Sequence, residues 1–133
     1  MHYLLDTNIC IYIAKQKPVK VLDHFNLHTP GDMGMSVVTY GELCFGAQKS
    51  EWSDTAVRKL GEFITVVPVV GLDDDVGVQY GRLRLELTRR GELIGNNDLW
   101  IASHCLQLGL TLVTNNEREF SRIPDLAIEN WTR

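Results

Sequence analysis

Short β-prone runs alternate along this chain with longer segments of helical periodicity, and that alternation restricts the fold more than any other feature. Residues 2–5 lead through Asp6-Thr7-Asn8 into an apolar segment over 9–14, which Lys15-Gln16-Lys17-Pro18 breaks. Residues 35–38 read as a buried strand and lead through Thr39-Tyr40-Gly41-Glu42 into a helix reaching Ala47, and Gly41 and Gly46 inside it suggest close packing. Residues 65–70 precede Asp73-Asp74-Asp75, which read as helix-capping acids, and a long helical segment carrying Val76, Val78, Tyr80, Leu83, Leu85 and Leu87. Two further helices fit 19–26 and 53–64, a strand fits 110–114 with a turn over 115–120, and a last edge strand fits 126–129. Strands separated by helix-length segments must cross over rather than form hairpins, so the pattern predicts an α/β fold with a parallel sheet.

At 133 residues and 44% hydrophobic composition, the chain suits one compact domain over 1–133. Its net charge of −4 and pI near 5.5 argue against holding nucleic acid by a broad basic surface. Any polyanion needs local help, such as a bound cation. No apolar run is long enough to span a bilayer and no secretory leader is visible, so a cytoplasmic protein is expected. Cys10, Cys44 and Cys105 read as reduced core thiols, and neither they nor the four histidines form a zinc-type cluster.

Three acids share one kind of position. Asp6 follows the first strand, Glu42 lies in the helix after the second, and Asp98 heads an apolar helix through Ile101, Ala102, Cys105, Leu106 and Leu108 that Gly109 stops. Strand ends and helix starts share one edge of a parallel sheet, so acids distant in sequence can converge there. Each has a plain alternative as a capping group: Asn97 or Asp98 can cap its helix, and Thr39-x-x-Glu42 is the capping-box pattern. Gathered together they repel unless neutralised, and a hard divalent cation, Mg²⁺ or Mn²⁺, is the usual solution. Such a site suits phosphodiester hydrolysis. Two other readings stay open on these residues alone. One is a metal-dependent phosphatase or nucleotide hydrolase, although no phosphate-cradling GxxxxGK[ST] loop exists and no second Asp follows Asp6 two residues on. The other is a non-catalytic binding module whose acids only cap helices. Arg82, Arg84, Arg89 and Arg90 form a solvated face or, alternatively, a phosphate-contacting flank.

Asp6-Thr7-Asn8, Thr39-x-x-Glu42, Ile94-Gly95-Asn96-Asn97-Asp98-Leu99-Trp100-Ile101-Ala102, Leu112-Val113-Thr114-Asn115-Asn116-x-x-Glu119-Phe120 and Glu129-Asn130-Trp131 together resemble PIN-domain ribonucleases and, within them, VapC toxins of type II toxin–antitoxin systems. Order and spacing agree from Met1 nearly to Arg133. The resemblance implies a PIN-like three-layer α/β/α fold with a central, mostly parallel sheet of four to five strands. It implies an endoribonuclease dependent on Mg²⁺ or Mn²⁺ held by Asp6, Glu42 and Asp98, with Asn8 holding a carboxylate in place and Thr114 lining the cleft. Many PIN domains carry a further acid where this chain has Asn116, a departure that leaves one or two metals open, with Glu117 and Glu119 as the acids near enough in sequence to reach the site. The likeness also implies a homodimer, a VapB-type antitoxin through which alone operator DNA is contacted, and an RNA substrate such as the anticodon loop of initiator tRNA.

Overall fold

The computed structural model describes residues 1–133. In chain order the elements are β1 (Tyr3–Leu5), α1 (Thr7–Lys15), α2 (Val19–Asn26), β2 (Met33–Ser36), α3 (Val37–Lys49), α4 (Ser53–Val66), β3 (Val69–Val70), α5 (Asp74–Arg89), α6 (Asn96–Leu108), β4 (Thr111–Val113), α7 (Glu117–Phe120) and β5 (Ile128–Glu129). The five strands form one sheet in the order β3-β2-β1-β4-β5. Every pair is parallel, as crossover connections through helices require.

Alternation along the central strands divides the core. Leu4 and Leu112 point to one face and join Leu83, Leu87, Leu99 and Ile101 from α5 and α6. Leu5 and Val113 point to the other and join Ile9, Ile13 and Val21 from α1 and α2, with Phe63 and Ile64 of α4 packed against them. The neighbours in each strand thus serve opposite layers, which gives the three-layer arrangement. No helix is long and apolar enough to cross a membrane.

Several local expectations are corrected. The run over 35–38 is not a strand throughout: β2 ends at Ser36, whose hydroxyl caps α3 by accepting from the Val38 amide at 3.1 Å. Thr39 is therefore inside the helix and the capping-box reading of Thr39 and Glu42 fails. The expected strand over 65–70 shrinks to β3, because α4 continues to Val66. Residues 115–120 are not merely a turn, since they include the short helix α7. Gly41 and Gly46 do not mark close packing, for a methyl group at either would meet nothing within 4 Å. Other signals hold: Asp73 caps α5 through the Val76 amide, and Gly109 ends α6 at φ 67°, the left-handed conformation that a residue with a side chain resists.

The C-terminal residues fold back over the β4–α7 loop. Trp131 is buried, its ring lying nearly parallel to those of His24 and His28 at centroid distances of 5.7 and 5.3 Å. Asn130 and Thr132 both donate to the Asn115 side-chain oxygen, and Arg133 pairs with Glu117.

Candidate active site

Strand order reverses direction at β1: the chain steps from β1 to β2 on one side, then returns to place β4 on the other. Such a switch point leaves a crevice beyond the carboxyl ends of the two diverging strands. Asp6 follows β1 directly and Thr114 follows β4 directly, so both stand at that crevice.

Asp6 is only 5% exposed and is held through both carboxylate oxygens. One accepts from the Ile9 amide at 2.9 Å, which caps α1, and the other accepts from the Thr114 hydroxyl at 2.5 Å. Thr114 in turn accepts from the Asn116 amide at 2.9 Å. Burial pushes the Asp6 carboxyl up to about 6, against the lowering effect of these hydrogen bonds, and the nearby charges of Asp98 and Glu42 push in the same direction as burial.

Glu42 projects from α3 to α1, where the Thr7 hydroxyl donates to its Oε1 at 2.6 Å. The hydrogen bond spans 35 positions of sequence, and with Ser36 at the N-cap Glu42 lies too far inside α3 to cap it. Asp98 lies in the first turn of α6, but the N-cap is Gly95, which makes no side-chain capping bond, so neither Asn97 nor Asp98 caps the helix. Desolvation raises the Asp98 carboxyl, followed by the charges of Glu119 and Glu42. Asp6, Glu42, Asp98 and Glu119 thus feel one another electrostatically, and none forms an ion pair with Lys, Arg or His.

Asn116 supplies no acid, and its amide nitrogen instead donates to Glu119 at 3.1 Å. Glu119 is the acid that reaches Asp98, whereas Glu117 is taken by Arg133. Asn8 is exposed on the cleft wall beside Asn97. The hydroxyls that hold carboxylates belong to Thr7 and Thr114. Sequence reasoning misses Thr7, whose one available signal is its place at the first helical position after Asp6. Of the α5 arginines, Arg82 pairs with Glu86, and Arg84 donates to the Tyr80 hydroxyl at 2.8 Å; Arg90, just past the helix, pairs with Glu86 and Glu92.

No three His, Cys, Asp or Glu side chains close around a single point at metal-holding distance in this structure. The donor set nevertheless fits a hydrated hard cation. It consists of oxygen ligands alone, it is uncompensated by cationic side chains, and Mg²⁺ keeps several waters while binding through one or two carboxylates. Mutual repulsion of carboxylates is the electrostatic condition that a divalent ion relieves.

The family model for the PIN domain matches residues 3–126. A protein named Ribonuclease VapC2 from Haemophilus influenzae is 39% identical over 131 residues, covering 98% of each chain. One named tRNA(fMet)-specific endonuclease VapC from Salmonella typhimurium is 40% identical over 131 residues, again 98% of each chain. The crystal structure of DNA-bound VapBC from Salmonella typhimurium contains a chain that superposes with a TM-score of 0.92 at 40% identity, covering 98% of both. With that match running over nearly its whole length and relatives of equal extent at this level of identity, the chain belongs to the PIN-domain family.

Proposed function

We propose that this PIN domain is an endoribonuclease toxin of the VapC type, in which Asp6, Glu42 and Asp98 hold Mg²⁺ or Mn²⁺ and RNA is cleaved at the switch-point crevice. The observation that carries the reading is the group of mutually repelling, unpaired carboxylates at that crevice, in a chain whose full-length relatives are named ribonucleases. When bound, the cation supplies a water of lowered pKa and charge stabilisation at the phosphoryl group. The chain's own part is to hold its oxygens still. Thr114 and the Ile9 amide fix both oxygens of Asp6, Thr7 fixes one oxygen of Glu42, and Asn116 fixes Glu119 beside Asp98.

The substrate class is transfer RNA, with the initiator species favoured because relatives carry the name tRNA(fMet)-specific endonuclease, and the anticodon loop is the expected place of cleavage. Solved VapBC complexes, some bound to promoter DNA, support a VapB-type antitoxin as the regulating partner and contact with operator DNA through that antitoxin. An antitoxin arginine entering the cleft would satisfy the same carboxylates by charge-assisted, bidentate hydrogen bonds and displace the cation. A homodimer acting in the cytoplasm, where its RNA lies, completes the reading.

Asparagine caps a helix nearly as well as aspartate but ligates a divalent cation poorly. Asp6→Asn and Asp98→Asn are therefore expected to fold normally and to lose at least about 100-fold in RNA cleavage and with it toxicity. Transfer RNA and a chromogenic phosphate ester, each incubated with Mn²⁺ and wild-type protein, separate the reading from a small-phosphate hydrolase. Turnover of the ester beside intact RNA, or full RNA cleavage by both variants, would remove it.

A further inference from the structure

A cleft that Glu42 borders has one wall, along α3, on which Phe45 and Lys49 take no part in holding the carboxylates. Along α3, Glu42, Phe45 and Lys49 follow at spacings of three and four residues and so share one side of the helix. All three line a cleft of about 740 Å³, together with Thr7, Asn8 and Asn97. Gly41 and Gly46 flank this strip and bring no side chain that would fill the space. Phe45 is 66% exposed, and the Lys49 ammonium sits 5.0 Å from its ring centroid. Lys49 is the one cationic side chain lining the cleft.

A single exposed aromatic is ordinary on a protein surface, and a lysine in a last helical turn is explained by the helix dipole. Their joint position on the cleft wall follows from neither. We propose that Phe45 and Lys49 grip the RNA next to the cleavage point, an unpaired base stacking on the Phe45 ring and a backbone phosphate pairing with Lys49. The proposal rests on the ribonuclease reading and adds how the chain holds its substrate. An acidic protein with no broad basic surface gains from any cation placed along the path of the RNA backbone, and Lys49 stands on this wall about two helical turns beyond Glu42. An aromatic face accepts any base and so gives grip without sequence choice, while the amides of Asn8 and Asn97 offer donors and acceptors to base edges. A protein partner suits the neighbouring groove between α1, α3 and α4 better, since Cys10, Leu43, Leu60 and Phe63 make that one apolar.

Stacking demands an unpaired base, so the wall should prefer single-stranded over duplex RNA. In the Asp98→Asn background, where RNA stays intact, a fluorescein-labelled ten-nucleotide single strand is expected to bind at least about 10-fold more weakly after Phe45→Ala, with Phe45→Trp restoring binding. In the active protein, Phe45→Ala is expected to raise KM by a similar factor with kcat within about twofold. Lys49→Ala should reduce the slope of log affinity against log salt by about 0.7, the loss of one phosphate contact on a single strand. Trp52→Ala, removing an aromatic that is 74% exposed elsewhere, serves as the control expected to change neither quantity. Unchanged RNA affinity and KM in Phe45→Ala would overturn the proposal, and weakened binding of a VapB-type antitoxin with RNA affinity intact in that same variant would assign the wall to the partner instead. Cleavage of RNA by the Asp98→Asn protein at the wild-type rate would show that the underlying reading, rather than the wall, had failed.

Discussion

Asp6 answers two opposed demands. As the cap of α1 it accepts an amide hydrogen, and as a crevice acid it is buried among like charges, so its carboxyl rises to about 6 although two hydrogen bonds favour the ionised form. Because the folded value lies above the unfolded one, near 3.9, the native state takes up a proton more readily than the unfolded chain. Ionisation of Asp6 therefore opposes folding: the penalty is absent below about pH 4, grows through pH 6, and amounts to about 3 kcal/mol above it. In EDTA, urea unfolding should show wild type gaining stability relative to Asp6→Asn as pH falls from about 7.5 to about 5, and a flat difference would contradict this. The capping role of Asp6 was legible from its place between strand and helix. For Glu42 and Asp98 the local signals pointed to capping as well, and those positions went to Ser36 and Gly95. Sequence spacing could not reveal that Glu42 bonds across 35 residues, since only the packing of α1 on α3 creates that pair.

At the scale of elements, β-branched residues misled at two boundaries. Val37 and Val38 favour a strand, yet Ser36 caps α3 ahead of them, and Thr65 and Val66 extend α4 because packing of Ile64 and Val66 on the core outweighs propensity. Long periodic segments, the helices over 53–66, 74–89 and 96–108, were readable because an apolar face sustained over three or more turns fits a helix and no other regular structure. Thr7 joins two elements, donating from α1 to Glu42 on α3 at 2.6 Å, with the Thr39 hydroxyl also in reach at 3.3 Å. Thr7→Val keeps the branched shape and removes the donor. RNA cleavage is expected to fall about 10-fold while urea stability changes by about 1 kcal/mol, and Thr7→Ser should restore cleavage. Cleavage by Thr7→Val at the wild-type rate would show that Glu42 needs no such hold.

For the whole molecule, the α/β class and parallel pairing followed from the alternation of segments, but the order β3-β2-β1-β4-β5 did not, because strand order is fixed by which helix layers close over which core. That order sets Asp6 and Thr114 side by side from positions 108 residues apart. A cation that binds the folded crevice and not the unfolded chain stabilises by mass action, so Mn²⁺ at about 100 times its dissociation constant is expected to raise the melting temperature by roughly 8 °C. Asp98→Asn should abolish most of that rise, and an equal rise in the variant would place the ion elsewhere. The C-terminal fold-back has its own bearing on this edge. Asn130, Thr132 and Arg133 moor Asn115 and Glu117, which flank the very residue whose amide steadies Thr114. Trimming the chain after Glu129, or crowding its end with a fused tag, would slacken the crevice's floor without touching a single acid.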